Sequence, residues 1–280
     1  MSHSTVEHLP AAVVRGLETG ALAPYLGPGL LALSSGSALP AEPLALAGLL
    51  TAKVSVPGKI RNRLTAAAQF IENFKHRKTL VKAMSEIFAL QAVPSALHHW
   101  LAGLPAPLIV DAWYDDTLRS ALAARRSDWA EAQGLAQSEH FGTWIGWYDA
   151  QGQALPDAAA PATLLYKPWG GHAPTGNYLV SDSDFVEVMT EIDIQTPIPA
   201  LVQSRRAALG FVFLGCRFND QLPRAFARQI IKRSAGPHYA VLAEEPTRME
   251  ARFLAEQGIV RIALPLQQVA AKLCAAPALA

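Results

Sequence analysis

The run Leu209-Gly-Phe-Val-Phe-Leu214, closed by Gly215, carries no polar side chain on either of its alternating faces, and it constrains the fold more than any other stretch. A strand that is apolar on both faces must be covered on both, which is the situation inside a parallel sheet flanked by crossover helices. Pro107-Leu-Ile-Val-Asp111, Thr163–Lys167, His238–Leu242 and Ile259–Leu264 read as companion strands. Between and after them, Thr117–Arg125, Ser183–Glu191, Pro223–Arg233 and Pro246–Gln257 read as helices, the last closed by Gly258. The alternation predicts an α/β fold: a Rossmann-like parallel sheet with helices on both faces. In such sheets ligands bind beyond the carboxyl ends of the strands.

The 280 residues, 51% of them hydrophobic, can bury a large core, and the length predicts one domain over 1–280. Two stretches depart from the strand–helix rhythm. From Leu44 to Ala52 and from Lys59 to Gln91 the chain is rich in Ala, Leu, Lys and Glu. Leu64, Ala68, Ile71 and Phe74 recur there every three or four positions, which predicts a helical insertion over about 44–92. From about 127 to 161 the composition shifts to Ala, Gly, Gln and Asp with Trp129, Trp144 and Trp147, and an irregular insertion outside the central sheet is expected.

The formal net charge of +1, from 24 Lys and Arg against 23 Asp and Glu, offers no basic field to draw the chain to nucleic acid or an anionic membrane, and neither is expected as a partner. A small-molecule nucleotide or a protein is the expected partner. The dense run Lys75-His-Arg-Lys78 reads either as a partner surface or as the solvated face of a helix. Cys216 and Cys274 lack the CxxC spacing of a zinc or redox site, so buried thiols and no metal are expected. Residues Met1–Pro10 hold no apolar run, and a cytoplasmic location is the expectation.

Four segments carry the candidate chemistry. Ala23-Pro-Tyr-Leu-Gly27-Pro-Gly29-Leu30 is a strand breaking into a glycine turn, open to two readings, a structural turn or a phosphate cradle. Leu108-Ile-Val-Asp111-Ala-Trp113-Tyr114-Asp115-Asp116 is a strand end leading into a helix. Tyr166-Lys167-Pro168-Trp169-Gly170-Gly171-His172 is a second strand end, and Phe211-Val-Phe-Leu-Gly215-Cys216-Arg217-Phe218-Asn219-Asp220 a third. Arg217, at a strand's carboxyl end, could grip a phosphate or carboxylate through its planar donor fork, or could be a solvated arginine.

In this order the four segments resemble the SIR2-like branch of the sirtuin superfamily. The resemblance implies that Gly27, Gly29 and Leu30 form the glycine-rich turn where backbone amides approach a dinucleotide pyrophosphate. It places Tyr114 and Asp115 in the family's Thr-Asn-Tyr-Asp strand end, with Trp113 where the family has its asparagine. Trp169 stands where the Lys-x-His-Gly strand end has its histidine base. Gly215, Cys216, Arg217 and Asp220 fall in the Gly-x-Ser-x-x-Asp turn on the adenosine side. The zinc-binding cysteines of deacetylating sirtuins are missing, which points to the compact branch found in bacteria.

The resemblance implies NAD or ADP-ribose as the ligand, and the two tryptophans imply lost chemistry. An indole has one donor and no acceptor, and it cannot hold a proton near neutral pH. A nucleotide-binding protein that does not hydrolyse its ligand is the leading expectation. One alternative is an active NAD glycohydrolase or deacylase working through Asp115, Asp116 or His172, although His172 reads first as an ordinary loop residue. Another is a protein-interaction module whose pocket is plugged.

Overall fold

The computed structural model describes residues 3–35, 38–156, 160–194 and 198–275, with the side chains of 191–194 outside the description. In chain order the elements begin with β1 (Thr5–Val6), α1 (Ala11–Glu18) and β2 (Leu22–Leu26), followed by a 3-10 helix at Pro28–Leu33. Next come α2 (Pro43–Lys53), α3 (Leu64–Lys75), α4 (Arg77–Phe88), α5 (Ala96–Ala102), β3 (Leu108–Asp111) and α6 (Thr117–Arg125). Then follow β4 (Trp129–Gly134), β5 (Ile145–Asp149), β6 (Ala154–Leu155), β7 (Thr163–Lys167), β8 (Gly170–Gly171) and β9 (Asn177–Tyr178). The chain continues through α7 (Asp182–Ile194), α8 (Ala200–Arg206), β10 (Gly210–Leu214), α9 (Gln221–Ile231), β11 (His238–Val241), α10 (Arg248–Glu256), β12 (Ile259–Ile262) and α11 (Leu266–Ala275).

One ten-stranded sheet runs β1-β12-β11-β10-β2-β3-β7-β4-β5-β6, and β8 and β9 form a separate ribbon. The pairings from β1 through to β4 are parallel, while β5 and β6 add antiparallel strands at one edge. This is the α/β, Rossmann-like sheet that the apolar strands predict. Strand alternation explains its two cores. Phe211 and Phe213 of β10 enter one apolar cluster, with Tyr25, Val110 and the inner faces of α2, α3 and α4. Val212 and Leu214 enter the other, with Leu26, Ile109 and residues of α1, α5, α6 and α11.

The stretch 44–92 carries α2, α3 and α4. His76, at φ 70°, separates α3 from α4 in a backbone region that a β-carbon disfavours. Arg77 ties this layer to the rest of the molecule. Its guanidinium contacts Asp184 (2.8 Å), Glu72 (3.3 Å) and Glu139 (3.2 Å) and donates to the Tyr178 carbonyl.

The stretch 127–161 differs from the expectation. Trp129–Gly134 is β4, lying inside the sheet parallel to β7, and it contributes Glu131 and Gln133 as buried polar side chains. Polar residues at alternate positions disguise it as an excursion. They are accommodated because Arg119 of α6 meets Glu131 at 2.9 Å on the same face.

Candidate functional site

The chain passes from β2 to β3 on one side and later returns to lay β10 on the other, so the crevice between β2 and β10 is a topological switch point. Two glycine turns meet there. The Gly27 amide donates to the Leu214 carbonyl and the Gly29 amide to the Gly215 carbonyl, both at 2.9 Å. A β-carbon at Gly27 would sit 2.6 Å from the Gly215 oxygen and 2.8 Å from the Cys216 sulfur, and one at Gly29 would sit 2.8 Å from the Gly215 oxygen. Each turn therefore needs glycine because the other turn's backbone lies against it. Leu30 is buried and its amide donates to the Gly27 carbonyl at 3.1 Å. Burial also pushes the Cys216 thiol up, so it stays protonated.

Beyond Gly215, Arg217 grips Glu250 through Nε and Nη2 (3.1 and 3.2 Å) and also meets Glu244. Burial would raise the Glu250 carboxyl, but Arg217 and the amides of Thr247 and Phe218 outweigh it and leave it below the usual range. Thr247 and Glu250 are a reciprocal capping pair opening α10. Asp220 caps α9 by accepting from the Gln221 amide.

At the ends of β3 and β7 the sheet is topped by aromatic rings. Trp113 is 1% exposed and Trp169 5%, and their rings lie 6.4 Å apart, edge to face. Tyr114 contacts both, Phe88 of α4 packs on Trp113, and Phe185 and Phe226 pack on Trp169. The Trp113 indole donates to the Pro40 carbonyl at 2.9 Å, whereas the Trp169 indole nitrogen is buried and has no partner among the described residues. A cavity beside this cluster, lined in part by Trp144, Pro168 and Phe226, has a volume of about 10 Å³. That is room for about one water molecule and none for a planar ligand.

The other residues singled out from the sequence lie at the cluster's border. The Tyr114 hydroxyl donates to the Leu179 carbonyl at 2.7 Å. The Asp115 carboxylate accepts from the Thr117 amide at 2.9 Å and so opens α6. His172 is half-buried, with Nδ1 3.1 Å from the Tyr178 hydroxyl, which is itself 3.1 Å from Ser85 Oγ. Asp116 accepts from the Ala173 amide, and its carboxyl is raised by burial, with Lys167 and His172 among the charges that oppose the rise.

On the opposite face of the same strand ends is a feature the sequence reading left unassigned. Lys167 is fully buried, and Nζ contacts the Asp111 carboxylate at 2.7 Å and the Asp115 carbonyl at 2.8 Å. Burial pushes the Asp111 carboxyl up to about 7 against the pull of Lys167. Lys167 keeps its proton firmly: burial pulls it down, but Asp111, Asp115 and Glu131 more than reverse that. The available signal was a charge ending each of two strands that pair in register. Among the described residues no group of three or more His, Cys, Asp or Glu side chains is placed to hold a metal ion.

A family model described as a SIR2-like domain matches residues 107–262, more than half of the chain. The chain belongs to this family. The match runs from β3 to β12 and takes in Trp113, Trp169 and the Gly215–Asp220 turn; the Gly27 turn and the helical insertion lie before it. The family generally binds NAD, and a SIR2-like domain suggests an NAD-related nucleotide-binding function. No curated protein matches the chain. No helix among the described residues is long and apolar enough to cross a membrane.

The local chemistry fits a dinucleotide badly. The Gly27 and Gly29 amides already have acceptors, the Arg217 charge is met by two carboxylates, and the space above β3 and β7 is full. The indoles supply no proton acceptor.

Proposed function

We propose that this chain is a catalytically silent SIR2-like domain, lacking the zinc module, in which Trp113 and Trp169 take the places of the asparagine and the histidine base and close the nicotinamide-ribose end of the crevice. The fold is retained as a binding module. Any NAD or ADP-ribose it takes is held without hydrolysis. The observation that carries this reading is the burial of both indoles in one edge-to-face aromatic cluster. Each can bury on the order of 200 Å² of surface, so the plug is also a source of stability that a substrate would have to displace.

Nicotinamide release from NAD, followed by chromatography, together with calorimetric titration of NAD and ADP-ribose, tests this. The expected result is no nicotinamide above the no-protein control, with ligand heats weak or absent. Release that disappears in a His172→Ala variant would overturn it in favour of hydrolysis through His172. Tight NAD binding without release would keep the silent reading and reopen the crevice.

A further inference from the structure

The net charge of +1 conceals a strong division. Residues 44–92 contain eight Lys and Arg and two Glu, a net of +6, so the remaining residues sum to −5. Both acids of this segment are already engaged: Glu86 is shared by Lys53 and Lys82, and Glu72 meets Arg77. Lys59, Arg61, Arg63, Lys75 and Lys78 are exposed and make no ion pair among the described residues. Lys75 and Lys78 lie on α3 and α4, whose inner faces turn Ile71, Leu80 and Met84 into the core, and Lys59, Arg61 and Arg63 lie in the connection between α2 and α3.

The same layer exposes apolar side chains. Of the eight large hydrophobic residues exposed among the described ones, four lie in it (Leu44, Leu49, Phe74 and Leu90) and Val93 directly follows it. Phe74, 66% exposed, stacks on Phe70 and is adjacent in sequence to Lys75. Pro40 and Phe88 both meet Trp113, and Lys53, the last residue of α2, reaches Glu86 near the end of α4. Helix α2 is apolar nearly all round: Leu46, Ala47 and Leu50 are buried, while Leu44 and Leu49 face solvent. A helix of that kind ordinarily has a partner on both sides.

We propose that the outer face of α2–α4 docks on an anionic phospholipid surface. Cations combined with exposed aliphatic and aromatic side chains suit the boundary between headgroups and acyl chains, where both kinds of contact are favourable. A nucleic acid would reward the cations and Phe74 but gains little from Leu44, Leu49, Leu90 and Val93. The contact lies at the membrane surface, since no described helix spans a bilayer. It does not depend on whether the aromatic crevice is closed.

Co-sedimentation of the full chain with phosphatidylcholine vesicles, and with vesicles in which about a third of the lipid is phosphatidylserine, tests the proposal. Binding is expected only to the charged vesicles and is expected to fall steeply with added salt. A Lys75→Glu/Lys78→Glu variant should bind at least about tenfold more weakly, since each basic residue near such a surface contributes on the order of 1 kcal/mol. A Leu44→Ser/Leu90→Ser variant should also lose binding while keeping its thermal unfolding profile. Equal sedimentation with both vesicle types, no sedimentation with either, or binding to single-stranded RNA alone would each overturn it.

Discussion

The two faces of the strand ends β3 and β7 solve the same problem in opposite ways. On one face Trp113 and Trp169 close the end of the sheet with rings that need almost nothing from water. On the other face, one residue away in sequence from Tyr166, Lys167 enters a dry interior with its charge intact and is tolerated because Asp111 and the Asp115 carbonyl receive it. The aromatic side gains from area and can be trimmed by degrees. The charged side is conditional, because removing one partner leaves the other stranded in a low-dielectric interior.

The largest effect is expected on the charged side. Lys167→Met should destabilise the fold by about 3–5 kcal/mol in urea unfolding, because Asp111 and Glu131 lose the cation between them. A Lys167→Met/Asp111→Leu double variant should regain most of that loss. A double variant as unstable as the single would mean that the site does more than balance charge. The same face should also respond to pH. The Asp111 carboxyl rises from 3.8 to about 7 on folding, so the folded state holds this proton more tightly than the unfolded chain does. Its contribution is therefore fullest below about pH 4 and declines as the pH rises to about 7, by at most about 1.4 kcal/mol per pH unit. Asp111→Asn should flatten the stability curve in that window. An unchanged slope would show that the carboxylate stays ionised beside Lys167.

The same asymmetry explains what was legible in the sequence. Apolar strands announce themselves, so β3, β7, β10 and β11 and the helices α6, α7 and α9 follow from pattern alone, whereas α8 went unread. β4 did not, because Glu131 and Gln133 occupy core positions whose partners, Arg119 and the loop carbonyl of Ala173, come from other elements. Gly27 and Gly215 were legible as turns, but their reason is mutual backbone contact, and no single segment reveals which backbone a glycine lies against. The positions of Trp113 and Trp169 were visible, whereas their sharing one cluster required the fold. The Lys167–Asp111 pair illustrates the general limit. A charge at a strand end looks like the edge of the solvated surface until the neighbouring strand and the helix above it are in place.

The aromatic face yields the smallest and most discriminating prediction, because its two indoles differ in one hydrogen bond. Trp113→Phe removes the donor to the Pro40 carbonyl and leaves that acceptor buried, with a smaller ring in the gap. The expected cost is about 2 kcal/mol. Trp169→Phe removes a buried donor that has no partner among the described residues, so the lost packing is partly offset by relief of an unsatisfied group. Its cost should stay below about 1.5 kcal/mol. Equilibrium unfolding of the two variants under one set of conditions makes the comparison directly. Equal losses would mean that the Trp169 nitrogen does have an acceptor, such as a buried water in the small neighbouring cavity, and the closed face would then be less dry than its rings imply.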